Sequence, residues 1–234
     1  MKNQKDKAPP SAVQAELEKL QQEQQRQTQA VFSDYQKAKT DQDKSKIIQS
    51  GYQKIFAELW PRYQNLIQKS KGGVQVQARL AALQLTQMGQ KPELGAKVIA
   101  DLIRENRDQP EAAAVATQLR YLVYRPGMAE EVKKSLLALG NSKSPTVQAA
   151  ALFSLADVTK DKDAKKAALL YRDVISKYPT TSYAKAARAS IFEAERLQIG
   201  MVAPEIEGMD HEGKPFRLSE YRGKVVVLDF WGFW

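Results

Sequence analysis

Asp229 is the residue whose type and setting point most directly to chemistry. It interrupts the apolar run Val225–Phe230, and Trp231 and Trp234 follow it in a W-x-x-W spacing. Burying a lone carboxylate is costly. The carboxylate is therefore either a functional group held inside an apolar strand or a polar residue at a strand end that faces solvent.

The other chemistries that a sequence can signal are weakly represented. The single histidine, His211, stands in a polar turn without an evident partner, which favours a surface position over a ligand or catalytic role. The sequence shows no metal-ligand spacing and no glycine-rich phosphate loop. It contains no cysteine, so its own side chains supply no thiolate.

The apolar run indicates the element that must position Asp229. A run without polar alternation predicts a strand that is buried on both faces, as is typical of a parallel sheet. Such a strand needs neighbours, and no further strand follows Val225–Phe230 in the sequence. We expect the chain to be the first part of a longer protein, cut inside a second domain, with poorly covered strand edges.

Four short motifs occur in order through the last part of the chain. They are the G-x-x-A-P element of Ile199–Ile206, the D-x-x-G-K turn of Asp210–Lys214, the L-S-x-Y-R-G-K-V-V segment of Phe216–Val227, and the W-x-x-W of Asp229–Trp234. Together they resemble the thioredoxin-like superfamily. The nearest branch is the redoxin one: membrane-tethered thiol–disulfide oxidoreductases and their alkyl hydroperoxide reductase (AhpC/TSA) relatives. The resemblance covers residues 199–234 only.

The resemblance implies dithiol–disulfide exchange with a protein disulfide substrate or a reductant partner. A thiolate attacks the disulfide, and no cofactor beyond the cysteines is needed. The family's Cys-x-x-Cys would begin directly after Trp234, so we expect no redox catalysis from these residues alone. Peroxide reduction is the less favoured version because W-x-x-W is typical of the thioredoxin type. The family also favours a periplasmic or other extracytoplasmic location.

The same resemblance assigns roles to individual residues. Asp229 would lie behind the active site and exchange a proton with the resolving cysteine, with its pKa raised by burial. Trp234 would flank the nucleophile and shape the surface offered to partner proteins, whereas Trp231 is expected to pack in the core. In the chain as given, the Asp229 carboxylate is expected to face water.

Composition indicates a globular protein with a basic first region. The 234 residues are 43% hydrophobic and 27% charged, with a formal net charge of +9. Residues 1–198 carry 32 basic and 21 acidic side chains, and residues 199–234 carry 4 and 6. The lysines are spread along the region, which favours a solvated helical surface over nucleic-acid or membrane binding. No membrane span and no signal peptide is visible.

The first region divides into three segments. Residues 1–10 are predicted to be a disordered tail, and residues 11–72 long amphipathic helices. Gln24 and Gln27 occupy apolar-seam positions of the first helix, which favours packing on a neighbouring helix over a strong coiled-coil dimer. Residues Thr40–Asp43 are predicted to be a break and the N-cap region of a second helix, and Pro61 is expected to kink that helix or to split it after Leu59.

Residues 73–198 are predicted to form helical repeats. Pro92, Pro110, Pro126 and Pro145 recur every 16 to 19 residues at expected first helical turns. Ala168–Ala184 resembles a tetratricopeptide repeat. The earlier units match that pattern poorly and are described only as tetratricopeptide-like or HEAT-like. The predicted fold is therefore mostly α: a tetratricopeptide-like α-solenoid followed by an incomplete thioredoxin-like α/β start.

Two functions follow from this organisation. In the first, the chain is the N-terminal portion of a thioredoxin-like thiol–disulfide oxidoreductase, and its helical region presents the redox domain to a partner. In the second, it is a non-catalytic interaction scaffold whose helices bind protein or peptide segments in a concave groove. Cys-x-x-Cys encoded directly after Trp234 would favour the first function, and a stop codon would favour the second.

Overall fold

A computed structural model describes residues 11–124 and 128–232. The α-helices within those residues, in chain order, are α1 (Ala12–Lys37), α2 (Asp41–Lys69), α3 (Gly72–Met88), α4 (Pro92–Asn106), α5 (Ala113–Leu122), α6 (Ala129–Gly140), α7 (Pro145–Thr159), α8 (Ala164–Lys177) and α9 (Ser182–Arg196). Two 3₁₀ turns cover Pro110–Ala112 and Leu218–Tyr221, and the strands are β1 (Glu207–Met209) and β2 (Pro215–Arg217). The predicted mostly-α fold is confirmed.

The first two helices form a hairpin whose polar seam residues have partners. Thr40 caps α2 within the predicted N-cap region, with its hydroxyl accepting from the Asp43 N–H at 3.1 Å. Gln24 accepts a hydrogen bond from the buried Tyr63 hydroxyl at 2.7 Å. The amide in the seam of α1 therefore satisfies a buried phenol of α2, and α1 packs on its neighbour as an amphipathic helix.

Helix α2 continues through Pro61, so the predicted split is wrong. Proline removes the N–H that would bond the carbonyl of Ala57, four residues earlier. Pro61 and Ala57 are both exposed, so water can bond the freed carbonyl. Because Pro61 lies on the solvent-facing side of α2, the helix tolerates a proline that would break it at a buried position.

Proline begins several of the later helical segments, as the sequence predicted. Pro92 and Pro145 are the first residues of α4 and α7, and Pro110 begins a 3₁₀ turn. Pro126 lies outside the described residues. Helix α8 begins without proline, and the Asp163 carboxylate caps it by accepting from the Lys166 N–H at 2.9 Å.

The helices share a core of two groups of buried side chains. The first group joins α1, α2 and α3. The second group continues from α3 through α7. Its largest fully buried members include Leu102, Leu119, Leu136 and Leu139. Within the described residues, no helix combines the length and the apolar character needed to cross a membrane.

Two glutamines occupy matching positions in the α3–α4 and α7–α8 pairs. The Gln75 side chain donates to the Ile67 carbonyl at 3.0 Å and accepts from the Asn106 amide at 2.9 Å. The Gln148 side chain donates to the Ser142 carbonyl at 2.6 Å and accepts from the Tyr178 hydroxyl at 3.1 Å. In each pair, one glutamine ties the first helix to the preceding segment and to the end of the second helix.

The chain divides into two compact units. Met1–Ala187 is called the helical unit, and Arg188–Trp234 is called the hairpin unit. The second unit contains the antiparallel hairpin of β1 and β2, with Glu207 opposite Arg217. The strand predicted at Val225–Phe230 is not formed, and its residues are exposed. A strand is held by bonds to a neighbour, and the described residues place no strand beside this run.

Candidate functional site

The D-x-x-G-K motif forms a closed turn between β1 and β2. The Asp210 N–H donates to the Lys214 carbonyl at 2.8 Å, and the Asp210 carboxylate accepts from the Glu212 and Lys214 N–H groups at 2.9 and 2.8 Å. Gly213 has a φ of +78°, a conformation that glycine adopts without strain. The predicted hairpin turn is confirmed, and the aspartate and the glycine each have a specific role in it.

Glu205 joins the first motif of this segment to the third. Its carboxylate accepts from the Ser219 N–H at 3.0 Å and from the Ile206 N–H at 3.1 Å. The hydrogen bonds from Ser219 hold the pKa of Glu205 below its ordinary value. The Leu218 N–H donates to the Ile206 carbonyl at 2.9 Å in the same place. The A-P-E-I element is thereby tied to the start of L-S-E-Y.

No role was predicted for Glu205 from the sequence. Its donors stand fourteen residues downstream, in another motif. Two features of the sequence could have indicated this bond: a carboxylate in one motif, and a Leu-Ser pair that opens a tight turn in another. N–H groups at the start of such a turn lack helical partners and can bond a carboxylate. Glu205 is therefore a structural residue of the candidate domain start.

The residues expected to carry chemistry lie in the segment after the hairpin. Asp229 is exposed, as predicted for the chain as given. Val225 and Val227, on the run that precedes it, are 98% and 87% exposed. Trp231, expected in a core, is 73% exposed because the described residues build no core around it. Trp234 lies outside the described residues.

The remaining polar candidates do not assemble into a reactive centre. His211 is exposed in the turn after β1, as the sequence predicted for a surface histidine. Across residues 11–124 and 128–232, no three metal-ligating side chains come together in a way that could hold an ion. The hairpin unit thus presents a folded scaffold with its polar side chains in solvent.

The helical unit contains a cleft where α5 and α7 end side by side. It has a volume of about 250 Å³ and is lined by Arg120, Tyr121, Tyr124, Asp157, Val158 and Lys160. Arg120 donates to the Asp157 carboxylate at 2.6 Å and lies 4.8 Å from the Tyr121 ring centre. The Tyr171 hydroxyl of α8 donates to the other oxygen of Asp157. This ion pair fixes the cleft wall and links three helices.

A second cleft lies between α2, α3 and α4. Its volume is about 350 Å³, and buried Arg79 forms part of its wall. Arg79 donates to the side chains of Asn106 and Glu105 and to the Asp101 carbonyl. Hydrogen bonding from Arg79 lowers the pKa of Glu105. Because the guanidinium already has several acceptors within the chain, this cluster holds helices together and leaves little capacity for a ligand.

Comparison with known proteins relates part of the chain to redox enzymes. The thiol-disulfide oxidoreductase ResA of Geobacillus thermodenitrificans is 45% identical over 42 residues, which is 18% of this chain and 24% of that protein. The proteins of the same name from Bacillus thuringiensis and Bacillus cereus are also 45% identical over 42 residues, with the same coverage. The chain thus spans about a quarter of the length of the curated relatives it matches.

The other two comparisons add no relative. No protein-family model matches the chain, and no solved structure matches it. The partial similarity supports a thioredoxin-like oxidoreductase portion within a mostly helical chain.

Proposed function

We propose that residues 199–234 are the opening part of a thioredoxin-like thiol–disulfide oxidoreductase domain, and that the helices before it present this domain to a protein partner. The observation that carries the proposal is the 45% identity to thiol-disulfide oxidoreductases over 42 residues. That length is close to the span of the four motifs, which all lie after residue 198. We therefore attribute the match to the C-terminal segment.

The hairpin unit supports this assignment. Its motifs are joined by backbone and carboxylate bonds: Asp210 closes the turn, and Glu205 bonds the Ser219 N–H. These local bonds fix the backbone of the segment that precedes the apolar run Val225–Phe230. In a complete sheet, Val225–Phe230 would be covered on both faces, and Asp229 would leave water.

The proposed chemistry is attack of a thiolate on a disulfide of a protein substrate. The 234 residues contain no cysteine, so the reactive thiols would come from sequence outside them. In the complete domain, a buried Asp229 could exchange a proton with the second thiol. Trp234 would lie next to the nucleophile and shape the substrate surface.

A disulfide-reductase assay tests the proposal. The 234-residue chain should be inactive, and the chain extended through its downstream coding sequence should reduce insulin disulfides. In the extended chain, replacing the first cysteine with serine should abolish turnover. Asp229→Asn should lower the rate while leaving binding of the disulfide substrate unchanged. An extended chain without Cys-x-x-Cys, or one that is inactive with both cysteines present, would refute the oxidoreductase assignment.

The second candidate is a non-catalytic, tetratricopeptide-like scaffold. The matching contacts of Gln75 and Gln148 favour it, because they give two helix pairs the same internal bonds. Stacked helix pairs of this type form extended binding surfaces. A stop codon directly after Trp234 would favour the scaffold over the enzyme.

A further inference from the structure

The turn between α7 and α8 concentrates positive charge beside the cleft of α5 and α7. Residues 160–166 contain four lysines and two aspartates, and Lys160 itself lines the cleft. All four lysines are exposed. Within the part of the chain that the structure describes, no carboxylate lies within ion-pair distance of their ammonium groups.

The two aspartates of the turn already have other bonding partners. Asp163 caps α8 by accepting from the Lys166 N–H at 2.9 Å. The Tyr124 hydroxyl donates to Asp161 at 3.4 Å. The cations therefore keep their capacity to bond an external acceptor.

Two of these lysines stand where a positive charge opposes the helix. Lys165 and Lys166 are the second and third residues of α8, and the first turn of that helix has no acidic residue. The partial positive charge of a helix N-terminus favours anions and disfavours cations in this turn. A local arrangement that works against the fold is characteristic of a functional surface.

Apolar groups accompany the charges on both sides. Tyr121 and Tyr124, which flank the cleft, are 62% and 69% exposed. Leu169 is 63% exposed and lies one turn along α8 from Lys165. A partner can therefore combine charge contacts with burial of aromatic and aliphatic surface, as protein interfaces do.

We propose that the cleft between α5 and α7, with Lys160 in its wall and Lys162, Lys165 and Lys166 in the residues that follow, binds an acidic polypeptide segment. The inference rests on the proposed partner-binding role of the helical region and specifies the chemistry of the partner. Asp161 and Asp163 stand between Lys160, Lys162 and Lys165, and this interruption of the positive charge suits discrete carboxylates better than the closely spaced phosphates of a nucleic acid. A cleft also accommodates an extended polypeptide more readily than it accommodates the flat surface of a bilayer.

Fluorescence anisotropy with a labelled oligoglutamate peptide tests the proposal. The variant K162E/K165E/K166E should weaken binding about tenfold, since each surface charge contact contributes a fraction of a kcal/mol. The control K39E/K46E/K54E makes the same change in net charge on exposed lysines of the α1–α2 hairpin, and it should weaken binding less than about twofold. Tyr124→Ala should weaken binding without changing net charge.

Each alternative outcome decides against the proposal. Equal loss in both triple variants would assign the binding to overall charge, and no loss in either would remove the α7–α8 turn from the interaction. Tighter binding of duplex DNA or of phosphatidylserine vesicles than of oligoglutamate would identify another class of partner. These outcomes are independent of the reductase assay, because oligoglutamate carries no disulfide. Far-ultraviolet circular dichroism of the variants verifies that the helices are intact.

Discussion

The helical unit and the hairpin unit differ in how far apart in the sequence a residue and its packing partners lie. In the helical unit, buried leucines and small residues interlock along successive helices. Side chains such as Arg79 and Gln148 also bond from one helix to the next. Each helix finds most of its contacts with elements close by in the sequence.

The hairpin unit satisfies its backbone locally but leaves its apolar residues uncovered. Val225, Val227 and Phe230 are 98%, 87% and 83% exposed. A strand of this composition gains its stability from neighbouring strands that are distant in sequence. The contrast shows that stacked helices complete their own core within a short stretch of chain, whereas a sheet segment depends on distant partners.

Resistance to proteolysis should show the largest difference between the two units. We expect chymotrypsin to cleave after Phe230 and Tyr221 at least about 100-fold faster than after Tyr121, because an ordered helix must open before it is cut. Tyr121 is 62% exposed and Tyr221 is 43% exposed, so surface exposure alone predicts the opposite order for the tyrosines. Mass spectrometry of the products gives the rates. Equal rates at the two tyrosines would remove the distinction between the units.

Truncation of neighbouring leucines in α6 should separate buried from exposed positions. Leu136 is fully buried, and Leu137 is 59% exposed. Leu136→Ala should lower the free energy of unfolding by about 2–5 kcal/mol because it leaves a cavity. Leu137→Ala and Leu228→Ala in the hairpin unit should change it by less than about 0.5 kcal/mol. Urea denaturation measures all three, and a large loss for Leu228→Ala would indicate a hidden core around the C-terminal run.

The sequence predicted the helices well because their signals are local. Thr40 caps α2 within the predicted N-cap region, and Pro92 and Pro145 begin helices. The predicted split at Pro61 was wrong because the effect of a proline depends on which side of the helix faces water, which the local sequence does not reveal. The partners of Gln75 were likewise not predictable, since they depend on how helices pack.

The same distinction explains the outcome at the candidate site. The turn at Asp210 was predictable because its bonds span five residues. Glu205 was missed because its partner Ser219 stands in another motif. The strand at Val225–Phe230 was predicted from its apolar composition. That composition does not reveal whether a neighbouring strand is available to pair with it. Asp229 is exposed because the described residues place no strand beside it.

Replacing aspartate with asparagine at three positions compares charge networks in the two units. Asp157 is mostly buried and bonds both Arg120 and Tyr171. Asp157→Asn should cost about 1–3 kcal/mol because it leaves the guanidinium without its counter-charge, and partial solvent screening places the cost toward the lower value. Asp161→Asn and Asp229→Asn, both at exposed residues, should cost less than about 0.5 kcal/mol. Thermal unfolding ranks them, and equal effects at Asp157 and Asp229 would contradict the assigned burial.

The smallest expected effects are those of pH. Each unit contains a carboxylate whose pKa is lowered in the folded state, Glu23 in the helical unit and Glu205 in the hairpin unit. Hydrogen bonding from Arg62, whose guanidinium lies 2.8 Å from the carboxylate, lowers the pKa of Glu23. A lowered folded-state pKa stabilises the fold above the unfolded value, and this contribution is lost as the pH falls through the folded value. Urea denaturation at pH 7 and pH 3 should therefore show a stability difference that Glu23→Gln reduces by less than about 1 kcal/mol, because the pair is partly exposed.

Glu205 provides the matching measurement in the hairpin unit. The Ser219 hydrogen bonds lower its pKa, so the hairpin should loosen as the pH falls below the ordinary glutamate range. Nuclear magnetic resonance titration should show the Ser219 amide shifting with the pKa of Glu205, and Glu205→Gln should abolish that shift. The helical core should be unaffected, since Glu205 bonds only within its own unit among the described contacts. A Ser219 shift that persists in Glu205→Gln would place the titrating group elsewhere and leave the hairpin without its proposed carboxylate tie.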